Sequence, residues 1–352
     1  MERTNAYSLL DFLDNSPCNF FATATIQRYL DDNGFQELKQ SERWNLEKGG
    51  KYYVKKNDTA IFGFVIGETP LDQSGFNMIS AHSDSPCFRI KPNPEMLADG
   101  VLKLNTEVYG GPILYTWFDR PLSLAGRVIV RNPQNPARPI TRLIDFASPV
   151  LIIPHLAIHF NRNVNAGNPL SKQKDMLPIA AIVSDSMSKN NFLIDQIKER
   201  LEIADSKDIL DFDLMLYNCQ KSQLVGFNKE FICSGRIDDL SMAHAALSAL
   251  LNSDNPATTK VMAIFDNEET GSGTKQGAAS PVLASILHRV ATCMGLDDEG
   301  FYQALSRSFL VSADNAHAAH PNYPEKYDPT NHPKMGGGPV IKINANCKYM
   351  TD

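Results

Sequence analysis

The sequence predicts an α/β protein, a layered sheet with helices, carrying an inserted β-rich domain. Strand-like and helix-like runs alternate at the start of the chain and again from about residue 211, the pattern of an α/β layer sheet. Between them prolines cluster, at 92, 94, 112, 121, 133, 136, 139, 149, 154, 169 and 178, and short strand-like runs alternate with loops. At about 150 residues per domain, the 352 residues suffice for roughly two domains. The expected division is a catalytic domain in two parts, 1–92 and 211–352, with an insert over 93–210.

Each element has a local reason. Leu9, Leu10 and Leu13 share one face of an opening helix. Ser16-Pro17 is expected to cap and start a second helix, which carries Phe20, Phe21, Ala24 and Tyr29 and closes at Gly34. Lys51–Lys56 and Thr59–Ile66 are β-rich runs separated by Asn57-Asp58, the pattern of a hairpin with a two-residue turn. Phe76–Ala81 is a short strand ending at His82, and Gly126–Arg131 is a strand of the insert. Val261–Phe265 is a continuous apolar run, as a strand buried on both faces requires. Leu240, Ala243, Leu247, Leu250 and Leu251 form a helix face before it, and Ser280–Val290 forms another after it. Phe309–Val311 and Val340–Ile343 are expected to be further strands.

Composition narrows the function. With 34 basic and 40 acidic residues the net charge is −6, which argues against binding nucleic acid by neutralising phosphates. No run approaches the 18–20 apolar residues of a membrane helix; the greasiest, Pro149–Ile158, is broken by Pro154 and His155. The first residues carry no continuous apolar core, so no signal peptide is expected. The six cysteines (18, 87, 219, 233, 293, 347) are scattered without a C-x-x-C pair, and read as reduced, mostly buried thiols of a cytoplasmic protein.

Four polar clusters each follow an apolar strand: His82-Ser83-Asp84, Asp238-Asp239, Asp266-Asn267-Glu268-Glu269 and Asp314. In open α/β sheets ligands bind outside the carboxyl ends of strands, so the four would converge. Converging carboxylates repel, and a pair of divalent ions would hold them. Singly, each cluster has a plainer reading. His82 could be a hydrogen-bonded structural residue, Asp238-Asp239 a helix cap with its first-turn acid, and Glu268-Glu269 a solvated turn. Gly271-Ser272-Gly273 with Gly277 misses the dinucleotide fingerprint by one residue, and two glutamates there would repel a pyrophosphate.

SAHSDSPCFRIKP (80–92), PHLAIHFNR (154–162), GRIDDL (235–240), FDNEETGSGTKQGA (265–278), SADNAHAAHPNY (312–323) and GGPVIKINAN (337–346) resemble, in order, the aspartyl aminopeptidase and vacuolar aminopeptidase I family of dinuclear-zinc metallopeptidases. The resemblance implies a zinc-exopeptidase-like mixed sheet flanked by helices, and a reaction releasing N-terminal residues from peptides with a free N-terminus. It implies that His82 and Asp314 bind one zinc, that Asp238 bridges two, and that Glu269 binds the second. Asp84 would orient His82, and Glu268 would be the general base for a metal-bridging hydroxide. It further implies a homo-oligomer built through the insert. There His155 and His159 stand at i, i+4, on one face if the segment is helical, and His159 is the expected donor to a neighbouring subunit's site.

Two departures bear on activity. The family takes its last ligand for the second zinc from a histidine well beyond the G-P-V-I-K strand, and here the sequence ends at Asp352 without one. A truncated chain, shorter by roughly a fifth, is therefore expected, with the second zinc weakened and a one-metal or inactive remnant as the alternative. The nearest substitutes are His317, His320 and His332. Acidic-specific members also place a Lys before Gly-Pro-Val-Ile-Lys where this chain has Gly337, so a neutral N-terminal residue is the alternative to an acidic one.

Overall fold

The computed structural model of the chain describes residues 4–183, 190–253, 257–343 and 345. It opens with helices α1 (Thr4–Asp14) and α2 (Asn19–Asp32), then β1 (Gln36–Glu37), β2 (Lys51–Lys56), β3 (Ala60–Val65), the single turn α3 (Leu71–Ser74) and β4 (Phe76–His82). A second set follows: β5 (Cys87–Ala98), β6 (Val101–Tyr109), β7 (Leu122–Val130), β8 (Ile140–Asp145), β9 (Ile179–Ile182), α4 (Phe192–Arg200) and β10 (Ile209–Asn218). A short ribbon of β11 (Gln223–Val225) and β12 (Phe231–Cys233) leads into α5 (Ile237–Asn252), β13 (Thr259–Phe265), α6 (Val282–Cys293), α7 (Asp298–Ser306) and β14 (Phe309–Ser312).

The first sheet has the order β1-β2-β3-β13-β4-β14. It is mixed: β13 runs antiparallel to β3 and parallel to β4, and β14 runs parallel to β4. Period-two alternation explains how it takes helices on both faces. Val261, Ala263 and Phe265 of β13 pack with Phe62, Phe64 and the α6–α7 residues Ile286, Val290 and Phe301. Met262 and Ile264 point the other way, into a core with Phe12, Ile26, Leu240 and Leu247 from α1, α2 and α5. Asn57 and Asp58 both take positive φ (56° and 57°) and Thr59 N–H reaches Lys56 O, the geometry of the turn that suits a tight hairpin.

The second sheet, β8-β7-β10-β5-β6-β9, is antiparallel throughout and covered by α4, whose Leu193 and Ile197 join Phe88, Leu104, Leu124 and Leu214. Its strands start and end outside 93–210, since β5 begins at Cys87 and β10 ends at Asn218. Cys18 and Phe20 at the start of α2 meet Cys87, Tyr109, Ala125 and Met215 where the two sheets adjoin.

Several expectations need correction. Ser16-Pro17 does not start α2; the helix begins at Asn19, with Cys18 in the cap position, because Ser16 and Pro17 belong to the buried turn after α1. Val340–Ile343 forms no strand: a strand needs a ladder partner, and none pairs with these residues among those described, so Ile341 and Ile343 stand exposed. The segment carrying His155 and His159 is not a helix but a loop with one 3₁₀ turn, Ile158–Phe160, so the i, i+4 face does not form; His155 instead packs edge-on against Phe118. Nor are the thiols mostly buried. Cys18 and Cys87 are, Cys219 is half-buried, and Cys233 and Cys293 are exposed; all five are free, and Cys347 lies outside the described residues.

α1 is fastened to α5 through Ser8 Oγ and His244 Nε2, 2.9 Å apart, and through the Phe12 and His244 rings. Burial pulls the His244 imidazole below its ordinary value. The folded protein therefore binds fewer protons than the unfolded chain between the two values, so stability falls as pH drops below about 6.5. Urea unfolding with chelator at pH 7.5 and 5.5 should show a shallower loss on acidification for His244→Phe than for the wild type. Parallel losses would show that His244 does not carry this term.

Candidate metal centre

Three parallel strands bring the polar clusters to one edge. His82 ends β4 and pairs with Phe265, the last residue of β13, so Asp266 and the turn carrying Glu268 and Glu269 emerge beside it. β14 ends one residue short of Ala313, whose N–H bonds Ser80 O, which sets Asp314 on the other side of β4. Asp238 and Asp239 arrive from the start of α5, where Arg236 has φ +59° and Asp238 and Asp239 are non-helical. The sequence run is polar and acidic here because the backbone leaves the sheet and its side chains must face one another rather than a core.

The geometry centres on His82, which is 5% exposed. Its Nε2 lies 3.5 Å from Asp238 Oδ1, 3.9 Å from Glu268 Oε2 and 4.0 Å from Asp239 Oδ2. One ligand atom from each of His82, Asp238, Asp239 and Asp314 fits within 4.8 Å of all the others. Lys342 Nζ sits 3.1 Å from Asp314 Oδ2, a cation drawn to the same acidic edge.

On the far side of the ring, His82 Nδ1 is 3.0 Å from Asp84 O and 3.3 Å from Asp84 Oδ1. The Asp84 carboxylate also accepts the N–H of Glu268 at Oδ1 and the N–H of Glu269 at Oδ2, both at 3.1 Å, and the Tyr109 hydroxyl at 2.6 Å. Three donors thus occupy both of its oxygens, with the His82 ring 3.3 Å from Oδ1. Asp84 is thus occupied in fixing its neighbours and lies outside the four-residue group.

Burial alone would lower the His82 imidazole, but Asp238 and Asp84 and then Asp239 push it up to about 11. Burial raises Asp239 to about 8, with Asp314 and Asp238 adding to it against the opposing pull of His82. Burial likewise raises Glu269 to about 7, with Asp238, Asp84 and Glu268 contributing. The carboxylates around His82 thus favour positive charge at this edge. One imidazole among carboxylates, with their oxygens within reach of a single centre, suits zinc by donor type.

The structure gathers His82, Asp238 and Asp314, and places Glu268 beside them. Glu269 lies in the same turn but outside the four-residue group. His159 and the exposed His317, His320 and His332 are also outside it among the described residues. Asp239 is the addition. Fully buried, it accepts His82 N–H at 3.1 Å and Asn315 Nδ2 at 3.3 Å while presenting an oxygen to the group. The tandem Asp238-Asp239 at a helix start is its signal in the sequence, of which the resemblance singles out Asp238 alone. Tyr109 had no signal, since a tyrosine at the end of an insert strand is ordinary.

The aminopeptidase I zinc metalloprotease (M18) family model matches residues 12–352. A probable M18 family aminopeptidase 2 of Clostridium novyi is 51% identical over 348 residues, 99% of this chain and 80% of the relative. A probable M18 family aminopeptidase 2 of Pseudomonas aeruginosa is 41% identical over 345 residues, 98% of this chain and 79% of the relative. Among solved structures, a chain from the cryo-EM structure of the Ape4 and Nbr1 complex superposes with TM-score 0.93 at 35% identity, over 99% of this chain and 70% of that one. Chaetomium thermophilum mApe1 gives 0.85 at 32%, over 94% and 78%.

A ligand that binds only the folded state stabilises it, by about 2.7 kcal/mol at a hundredfold excess over its dissociation constant. Zinc added to chelator-treated protein should therefore raise the melting temperature, and Asp238→Asn should lose most of the rise. An equal rise in wild type and variant would place the ion elsewhere.

Proposed function

This chain belongs to the aminopeptidase I (M18) family of zinc metalloproteases and is a metalloaminopeptidase; we propose the following division of labour among its residues. His82, Asp238 and Asp314 hold the first zinc, with Asp239 bracing His82 and its loop. Asp238 and Glu269 reach toward a second. The observation that carries this reading is the four-residue group around His82 at the carboxyl edge of three parallel strands. Bound zinc would supply Lewis acidity, polarising the scissile carbonyl and acidifying water. Glu268 takes a proton from the attacking water and returns it to the leaving amine, while Asp84 keeps the His82 ring oriented. Burial raises the Glu268 carboxyl, which brings a proton acceptor closer to neutral pH.

The substrates are peptides with a free N-terminus. An acidic N-terminal residue is the family's preference, and a neutral one is the alternative here, because Gly337 stands where the resemblance puts a Lys in acidic-specific members and offers no cation to an acidic side chain. We assign the insert the role of oligomer contact. Ile113, Leu156, Ile158 and Phe160 are exposed there, Phe160 by 80%, and His159 lies among them as the candidate to reach a neighbouring subunit's site. The cytoplasm remains the proposed location. No helix of the described residues is long and apolar enough to cross a membrane.

A second reading, a one-metal and weakly active centre in residues 1–352, is favoured by one observation. The one group of metal-ligating atoms found among the described residues is built on His82, and Glu269 is not in it. Elemental analysis after dialysis should give one zinc per 352-residue chain; two would show that His317, His320 or His332 substitutes, and alanine replacement of each would identify it.

In the catalytically competent form, Glu268→Gln should lower turnover by about 10²–10⁴-fold with zinc content unchanged, and N-acetylated peptides should not be cleaved. Near-normal turnover, or loss of a zinc, would overturn the roles given to the two glutamates. Light scattering at micromolar concentration should show an oligomer, and a monomer would remove the role assigned to the insert.

A further inference from the structure

The inserted sheet reaches the metal centre at one step of the chain. β6 ends at Tyr109, buried in the junction between the sheets, and the backbone turns at Gly110 with φ +69°. The Tyr109 hydroxyl has one proton, and a carboxylate can only accept, so that proton goes to Asp84 Oδ2 at 2.6 Å. The phenol oxygen then accepts from Asn267 Nδ2 at 2.9 Å. This fixes which way the Asn267 amide faces: its Oδ1 turns to the Thr274 hydroxyl at 2.8 Å and the Gln276 amide at 2.9 Å. Asn267 itself has φ +63° and immediately precedes Glu268 and Glu269. Gly110 closes against the same turn. A Cβ there would stand 3.1 Å from Glu269 Cβ and 3.2 Å from its Oε2, so the missing side chain leaves the space in which the Glu269 carboxylate lies.

We propose that the Tyr109–Gly110 step of the insert is a positioning element for the turn that carries Glu268 and Glu269. It rests on the metal-site reading above and adds a duty for the insert within its own subunit. Tyr109 touches neither the proposed ligand atoms nor the scissile bond; it acts through Asp84 and Asn267. The phenol is held protonated by burial and by Asp84, which keeps it a donor.

The molecule supplies its own control. Tyr217 of β10 also donates its hydroxyl to a carboxylate, Asp145 Oδ1 at 2.7 Å, and is half-buried where Tyr109 is buried, but without contact to the His82 cluster among the bonds described. Tyr109→Phe and Tyr217→Phe each remove one oxygen and leave the ring. Three quantities are to be measured on the 352-residue chain: the melting temperature in chelator, zinc affinity by competition with a chromophoric chelator, and the visible spectrum with cobalt in place of zinc. Both variants should melt slightly below wild type in chelator. Tyr109→Phe alone should weaken zinc binding, by about tenfold or more, and alter the cobalt spectrum. Zinc affinity within twofold of wild type for Tyr109→Phe, or equal weakening in Tyr217→Phe, would overturn the proposal. Wild-type chain that takes up no zinc would overturn the metal-site reading and the proposal together.

Discussion

Mutual repulsion among carboxylates is the constraint on which this structure turns. Asp238, Asp239 and Asp314 are crowded around one imidazole, with Glu268 and Glu269 close by, and nothing about hydrophobic burial would bring them there. The sheet imposes the crowding, because β13, β4 and β14 run parallel and stop at the same edge. What keeps the crowd from flying apart in the folded chain is a set of buried donors. Asp84 takes two backbone N–H groups and a phenol, and Asp239 takes His82 N–H and an asparagine amide. Donors on the Asp84 carboxylate help it hold its charge below the usual carboxylate range, whereas burial outweighs the donors on Asp239 and raises it to about 8.

The same logic makes Asp266 intelligible. Its carboxylate is buried, raised by that burial, and holds Asn19 of α2 at 3.0 Å, the N–H of Asn267 at 2.8 Å and Gln276 at 3.4 Å. It ties α2 to both ends of the turn that carries the glutamates. Asp84 and Asp266 spend their oxygens on neighbouring donors and stand outside the four-residue group, whereas Asp239 does both, accepting two donors while belonging to the group. Sequence spacing alone does not separate these roles.

Legibility in the sequence followed the range of the forces involved. β4, β13 and the hairpin of β2 and β3 were readable because apolar runs and an Asn-Asp turn are local signals, and the helix face of α5 was readable from its leucines. The convergence of His82, Asp238, Glu268 and Asp314 followed from a rule about strand ends that needs no detail of packing. What stayed hidden depended on partners far away in sequence. Val340–Ile343 is as apolar as a strand, but strand formation belongs to the pair and not to the segment. The start of α2 misread because Ser16-Pro17 carries a strong cap signature, while its true place, a buried turn gripped by Arg236 through Ser16 O, is a tertiary fact. Tyr109 was invisible for the same reason, since Asp84 and Asn267 lie 25 and 158 positions away.

The order of strands in the first sheet has a consequence for how the chain is made. β13 sits between β3 and β4, and His82 pairs with Phe265, roughly 180 residues later. Until β13 leaves the ribosome, β3 has one ladder partner and β4 has none, while the insert between them can already close on itself. At synthesis rates of about 5–20 residues per second, that interval lasts on the order of ten to forty seconds. The apolar edges of Phe62, Phe64 and Phe76 are thus open to solvent and to other nascent chains for far longer than a β-hairpin takes to form. Assembly of the metal-bearing edge therefore waits on β13 and β14, long after the strands of the insert have been made.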